Sequence, residues 1–286
     1  METQLAEPPF PSAGLDALPP ADIARKAAAV GEAKVAMPAL SVFVLAVLAG
    51  AFIALGAVFA TTVMAGGSEL VFGVTRLLGG LAFSLGLILV VVAGAELFTG
   101  NNLVVMAWAS RRVSTRRLLG NWVLVYAGNF VGALGTVLIV YLGRQYELGG
   151  GEVGATAVRI AEAKTSLGFI QAVALGALCN ALVCLAVWLT YSARTVTDKI
   201  LAVVPPIAAF VAAGFEHSVA NMYFIPIGLL VRDHVDVEGL EVEHLSWSAF
   251  FLDNLLPVTI GNVIGGAVMV GAVYWLVYLR DAPAPS

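Results

Sequence analysis

One acidic element occurs twice, deep inside two apolar stretches. Residues 93–101 read Ala-Gly-Ala-Glu-Leu-Phe-Thr-Gly-Asn, and residues 213–221 read Ala-Gly-Phe-Glu-His-Ser-Val-Ala-Asn. Both fit A-G-x-E-x-x-x-x-N. The surrounding charge-poor stretches, 77–110 and 200–231, would each be about 50 Å long as straight helices, against an apolar bilayer core of ~30 Å. Each is therefore expected to be two half-helices joined by an irregular polar break, with Gly94, Gly100 and Gly214 beside the breaks and Pro226 downstream. Such backbone is tolerated at membrane depth only where protein buries it or it lines a cavity. An ionisable side chain there is costly without a partner or a task.

A membrane setting follows from composition. Only 12% of the 286 residues are charged, against roughly 25% in a soluble domain. The net charge of −4 gives no basis for nucleic-acid binding. Six segments have the length and composition of spans: 37–66, 77–110, 118–143, 167–193, 200–231 and 255–279. Residues 1–36 are polar, Pro- and Ala-rich and carry Arg25, Lys26 and Lys34, so they read as an N-terminal tail rather than a cleaved signal, with a surface helix over 21–30. The expected domains are this tail, a six-helix channel domain over 37–280, and a short tail over 281–286.

The third and sixth segments repeat as well. Asn121, Gly128, Asn129 and Gly132 have the spacing of Asn254, Gly261, Asn262 and Gly265. The first and fourth match weakly, Gly50-Ala51 beside Gly176-Ala177. Two copies of three spans must enter the membrane in opposite senses, which predicts an inverted repeat with its site at the midplane. Arg111, Arg112, Arg116, Arg117, Arg194, Lys199 and Arg280 all fall on one side with the tail, so both termini are expected in the cytoplasm. Glycine pairs four apart, such as Gly261 with Gly265, fit close helix packing.

Few residues offer chemistry. His217 is the sole histidine in an apolar segment, at a predicted break beside Glu216. It can donate or accept a proton near neutral pH. Thr99 and Ser218 are hydroxyls at the two breaks, though such groups often bond back to their own helix. Half-helix N-termini would point N–H groups at an anion. Glu96 and Glu216 are expected to accept N–H groups of the broken backbone, with proton relay as the other reading. Lys164, ahead of the fourth segment, is either an interfacial lysine or a positive charge at the pore mouth. No arginine is expected to line the site. Phe83, Leu87, Phe98 and Phe210 lie near the breaks and would make dry constrictions if they face a pore. Cys179 and Cys184 lie about 140° apart on one helix and read as small packing residues. No metal or cofactor is expected, because three histidines and two cysteines form no ligand cluster.

These residues resemble the formate/nitrite transporter family. The stretches that carry the resemblance are 81–101 (LAFSLGLILVVVAGAELFTGN), 180–192 (NALVCLAVWLTYS), 214–226 (GFEHSVANMYFIP) and 253–266 (DNLLPVTIGNVIGG). Within that family the chain looks most like the formate channels. The resemblance implies a homopentamer in the inner membrane, each protomer an aquaporin-like, all-α unit with its own pore. It implies that His217 is the central pore histidine, Thr99 its hydrogen-bond partner, Lys164 the source of a positive field and Asn180 a pore-facing amide. It also implies an outer constriction of Phe83 and Phe210 and an inner one of Leu87, with Leu97 and Phe98 on a mobile segment. Glu96 stands where some formate channels carry aspartate.

The expected function is a channel for small monovalent anions of weak acids, most of all formate, with nitrite or hydrosulfide as the alternatives. Stripping water from a carboxylate is expensive, whereas a neutral acid passes apolar rings cheaply. Formic acid resembles an aspartate side chain, so little is neutral in bulk at neutral pH. His217 is expected to lend a proton at the centre. A neutral-solute channel would need Asn-Pro-Ala elements that the sequence lacks. No nucleophile–base pairing or phosphate loop suggests an enzyme, and two matched polar breaks argue against a purely structural role.

Overall fold

The computed structural model describes residues 17–66, 70–237 and 242–281. Residues 1–16 of the expected N-terminal tail and 282–286 of the C-terminal tail lie outside the described residues. Those described are helical throughout, without strands. In chain order they form α1 (Pro20–Ala36), α2 (Ala39–Met64), α3 (Phe72–Leu89), α4 (Phe98–Asn101), α5 (Val105–Ala109), α6 (Thr115–Leu142), α7 (Glu152–Thr165) and α8 (Phe169–Ser192). There follow α9 (Val196–Ala212), α10 (Ser218–Val231), α11 (Trp247–Ala249), α12 (Leu256–Val263) and α13 (Val273–Tyr278). Wide π-turns extend α3 over Val90–Gly94 and join α11, α12 and α13 into one continuous run. Pro257 has no N–H for the carbonyl of Asp253, and the turn ahead of it widens.

Among the described residues, five helices are long and apolar enough to cross a membrane: Ala39–Met64, Phe72–Gly94, Thr115–Leu142, Phe169–Ser192 and Trp247–Tyr278. The fifth stretch of the sequence, 200–231, instead appears as two shorter helices, α9 and α10. Both acidic elements sit at helix interruptions. Gly94 ends the first helical run with φ 82°, and Gly214 follows α9 with φ 76°, a left-handed conformation that a side chain would strain. Each stop is closed alike, Ala95 N–H to Val90 O at 2.9 Å and Phe215 N–H to Phe210 O at 3.0 Å. Helix restarts at Phe98 and at Ser218.

α1 is not the surface helix expected over 21–30. It reaches Ala36 and buries Ile23, Ala24, Ala27 and Ala28 against residues of α5, α8 and the C-terminal helical run. The weak match between the first and fourth segments also needs correcting. Leu45 O accepts the Glu96 N–H and Leu175 O accepts the Glu216 N–H. Ala46 and Gly176 likewise play the same part, each offering its carbonyl to an asparagine. Gly50 therefore corresponds to Asn180, and the expected pairing of Gly50 with Gly176 is one helical turn out of register.

Candidate functional site

Each interruption is held by an asparagine from a neighbouring helix. Asn129 of α6 accepts the Phe98 N–H at 2.9 Å and donates to Ala46 O at 2.7 Å and Glu96 O at 2.9 Å. Asn262 of α12 accepts the Ser218 N–H at 2.9 Å and donates to Gly176 O at 2.8 Å and Glu216 O at 2.9 Å. Both are fully buried. A side-chain amide has one acceptor and two donors, so it can replace a backbone group the broken helix lacks. The first N–H of each restarted helix is thereby occupied rather than left for an anion.

The two carboxylates do not accept broken-backbone N–H groups, as the sequence suggested. Glu96 Oε1 takes Lys34 Nζ at 2.7 Å, and its Oε2 takes Asn101 Nδ2 at 2.7 Å. Glu216 Oε1 takes Lys164 Nζ at 2.7 Å, and its Oε2 takes Asn221 Nδ2 at 2.7 Å and Asn254 Nδ2 at 3.3 Å. Asn101 continues to Asn121 at 3.1 Å, and Asn221 to Asn254 at 2.7 Å. Paired in this way, both acids can stay buried at 4–5% exposure. Lys34 escaped the sequence reading because it stands in a polar, charged stretch. A signal existed: the tripeptide Glu-Ala-Lys occurs at 32–34 and again at 162–164.

Between the two interruptions lies a hydrogen bond. Thr99 Oγ1 is 3.1 Å from His217 Nε2. His217 Nδ1 accepts the Ala220 N–H at 3.1 Å. A nitrogen that accepts carries no hydrogen, so the neutral ring bears its proton on Nε2 and donates it to Thr99. Asn180 braces this pair from α8, donating to Thr99 O at 3.3 Å, Asn102 Oδ1 at 2.9 Å and Asn262 O at 2.7 Å. One amide thus ties the restarted helix at Thr99 to the asparagine that fixes the other interruption. Cys184 Sγ also reaches Thr99 O, at 3.3 Å.

Two cavities approach this centre. The larger, about 540 Å3, is lined by Phe83, Phe210, Lys164, Glu216 and His217 together with Arg76 and Arg159. Contrary to the sequence reading, arginine does line the site. The Phe83 ring lies 5.6 Å from Phe210 and 6.2 Å from Phe224, and Phe210 stacks on the His217 imidazole at 5.9 Å. The smaller cavity, about 310 Å3, opens beside α1 and is lined by Leu87, Val90, Leu97, Lys34 and Glu96. The structure thus brings Phe83, Phe210, His217, Glu216 and Lys164 together on one side of the Thr99–His217 pair, and Leu87 and Leu97 on the other. Thr99, Asn180 and Phe98 line neither cavity. Phe98 packs edge-on against Tyr126 at 4.8 Å and Trp122 at 6.3 Å. Among the described residues, no group of three or more His, Cys, Asp or Glu could hold a metal.

Comparison with known proteins gives a consistent picture. The chain is 46% identical over 274 residues to the formate channel FocA of Escherichia coli (strain K12), covering 93% of this chain and 96% of that protein. It is 41% identical over 237 residues to the formate channel FocA of Haemophilus influenzae, covering 80% and 84%. Among solved structures, a pentameric formate channel with formate bound superposes with a TM-score of 0.79 at 45% identity, covering 85% of this chain and 98% of that one. An ion channel of the same family superposes at 0.77 and 30% identity, covering 90% and 98%. The family model described as formate/nitrite transporter matches residues 21–276, and the chain belongs to that family of membrane transporters.

Proposed function

We propose that this protein is a homopentameric formate channel in which each protomer has its own pore. The observation that carries the reading is the buried Thr99–His217 contact, with a cavity on either side and apolar side chains between. The pore runs from the larger cavity past Phe83 and Phe210, through Thr99 and His217, past Leu87 and Leu97, to the cavity beside α1. Similarity to formate channels, one of them pentameric with formate bound, supports both substrate and assembly. Nitrite or hydrosulfide remains the alternative substrate within the family.

In this reading α3 with α4 and α5, and α9 with α10, are spans two and five, each broken at its acidic element. The protomer is then six spans in two inverted, aquaporin-like halves over residues 37–280, with terminal tails 1–36 and 281–286. The arginine-rich loops support a cytoplasmic side for α1 and both termini, and the inner membrane is the setting this reading assigns. The matched hydrogen bonds around Asn129 and Asn262 support the two-fold relation.

Lys164 and Glu216 form a closed charge pair at one mouth, and Asn180 holds Thr99 in place. Phe98 anchors the first break rather than constricting the path. His217 assists passage of formate as the neutral acid. Donation from the neutral ring would leave an imidazolate, so lending a proton requires an imidazolium. The second proton must go on Nδ1, where the Ala220 N–H now sits. Proton transfer therefore includes a small movement of the ring or of the first turn of α10.

The test is uptake of labelled formate into liposomes holding the purified protein, at about pH 7.5 and about pH 5.5, either side of an ordinary imidazole. Saturable, pH-sensitive uptake weakly opposed by nitrite is expected, and His217→Ala should change the pH dependence. An unaltered pH dependence in that variant ends the proton-lending role. Poor formate flux with strong nitrite competition moves the substrate to nitrite.

A further inference from the structure

Arg76 has no counterpart in the other half of the molecule. α3 and α9 match with an offset of 120 residues, which pairs Gly94 with Gly214 and Glu96 with Glu216. The same offset pairs Arg76 with Val196, which is exposed at the start of α9. Arg76 crosses from the first turn of α3 to the last turn of α9. Its Nη2 donates to Val211 O and its Nε to Ala212 O at 3.5 Å. Nη2 also lies 3.6 Å from the point where a Cβ on Gly214 would sit. The guanidinium is therefore anchored at the lip of the second interruption, in the wall of the cavity that contains His217.

The two cavities consequently differ in charge. Among the described residues, the lining of the smaller one holds a single cation, Lys34, and a single acid, Glu96, joined to each other. The larger one has Lys164 joined to Glu216 in the same way, and adds Arg76 and Arg159. Arg159 lies 3.7 Å from the exposed Glu152, a partner outside the lining. Arg76 is bound to carbonyl oxygens, which orient it without cancelling its charge. A guanidinium has five N–H donors in a planar fork matched to a carboxylate. Two are engaged here, and others remain.

We propose that Arg76 is the anion-collecting residue of the larger vestibule, and that it makes the pore asymmetric in access. At low substrate the charge raises flux equally in both directions, as microscopic reversibility requires of a passive pore. The two directions part as substrate rises, because the Arg76 mouth fills at a lower concentration than the α1 mouth. A charge-lined cleft with low-dielectric walls raises local anion concentration by about tenfold or more. The advantage fades once the Debye length falls below the size of the vestibule, ~3 Å at 1 M salt.

This inference rests on the channel reading above, and the test separates the two. The full-length protein is placed in planar bilayers, with sides assigned by protease access to the N-terminal tail. Flux of labelled formate is measured in both directions over a range of formate concentrations, in low and in high salt. For the wild type, half-saturation from the Arg76 side is expected at about three- to tenfold lower formate than from the α1 side in low salt, and near parity in high salt. Arg76→Gln should bring the low-salt ratio to about one by raising half-saturation on that side, and should lower flux at low formate in both directions. Arg76→Lys keeps the charge and loses the fork, and should retain the bias. A ratio that survives Arg76→Gln, or is lost equally in Arg76→Lys, overturns the proposal; the second result assigns Arg76 a purely bracing role. No formate flux in the wild type would instead sink the channel reading.

Discussion

Lys164 and Glu216 form a closed charge pair, so removing one partner should cost far more than removing both. Their 2.7 Å separation corresponds to a Coulomb attraction of about 6 kcal/mol at an effective dielectric of ~20. Part of that is offset by desolvation, and the lysine stem is 16% exposed. Lys164→Met leaves Glu216 with only Asn221 and Asn254 as donors, and should destabilise the protein by about 2–4 kcal/mol. Adding Glu216→Gln should return stability to within ~1 kcal/mol of wild type. Lys34 and Glu96 provide an internal control with the same geometry, and Lys34→Met should behave alike. The assay is unfolding of the purified protein in mixed micelles under increasing SDS, analysed as a double-mutant cycle. Formate flux is measured on the same samples. If the field of Lys164 is cancelled by Glu216, the Lys164→Met/Glu216→Gln protein should keep flux within ~threefold. A single mutant that costs under ~0.5 kcal/mol, or a double mutant that costs the sum of the two singles, would refute the pairing argument. Loss of flux in the double mutant would restore Lys164 as a collecting charge in its own right.

Asn129→Ala and Asn262→Ala each orphan one N–H and one carbonyl at an interruption, and remove a second bond from the helix carbonyl of Ala46 or Gly176. Each should cost about 2–4 kcal/mol, since inter-helix bonds in membranes average ~0.6 kcal/mol and buried orphans cost more. Thermal unfolding in detergent checks this, and a change under ~1 kcal/mol would mean water or a neighbour replaces the amide. At the aqueous start of α9, the Thr195 N–H and hydroxyl, helped by the Arg194 N–H, hold the Asp198 carboxyl below the usual carboxylate range. Its contribution is present above the ordinary aspartate value and lost as pH falls through the lowered one. Asp198→Asn should thus lower stability at neutral pH and flatten its acid side, as read by melting temperature against pH. An unchanged acid slope would show that the capping box contributes nothing there.

The helix interruptions beside Gly94 and Gly214 were legible because two strong signals oppose each other there, an acid and a long apolar run. The asparagine and glycine spacings of the third and sixth stretches were equally plain, and the asparagines proved to be the clamps on Glu96 and Glu216 carbonyls. The register of the first and fourth was misread by four residues. A shift of four keeps the same helix face, so a pattern of small residues cannot distinguish the two alignments. Lys34 and Arg76 were missed for a different reason. Both stand at the edge of an apolar stretch, where a cation ordinarily marks only the boundary. Their roles come from partners 62 and 135 residues away in sequence, Glu96 and the Val211 carbonyl. Asn180 was noticed for its resemblance alone. Its task, joining Thr99 to Asn262, rests on contacts 81 and 82 residues away in sequence, which no local pattern displays.

The order of the charge pairs along the chain bears on how such a protein is made. Lys34 precedes Glu96 by 62 residues, and Lys164 precedes Glu216 by 52. During synthesis each cation leaves the ribosome before the acid that it neutralises. Each pair also closes within its own half, as do the clamps of Asn129 and Asn262. Neither carboxylate has to wait in lipid for a counter-charge that has yet to be translated, and the first half can become electrically complete while the second is still being threaded into the bilayer.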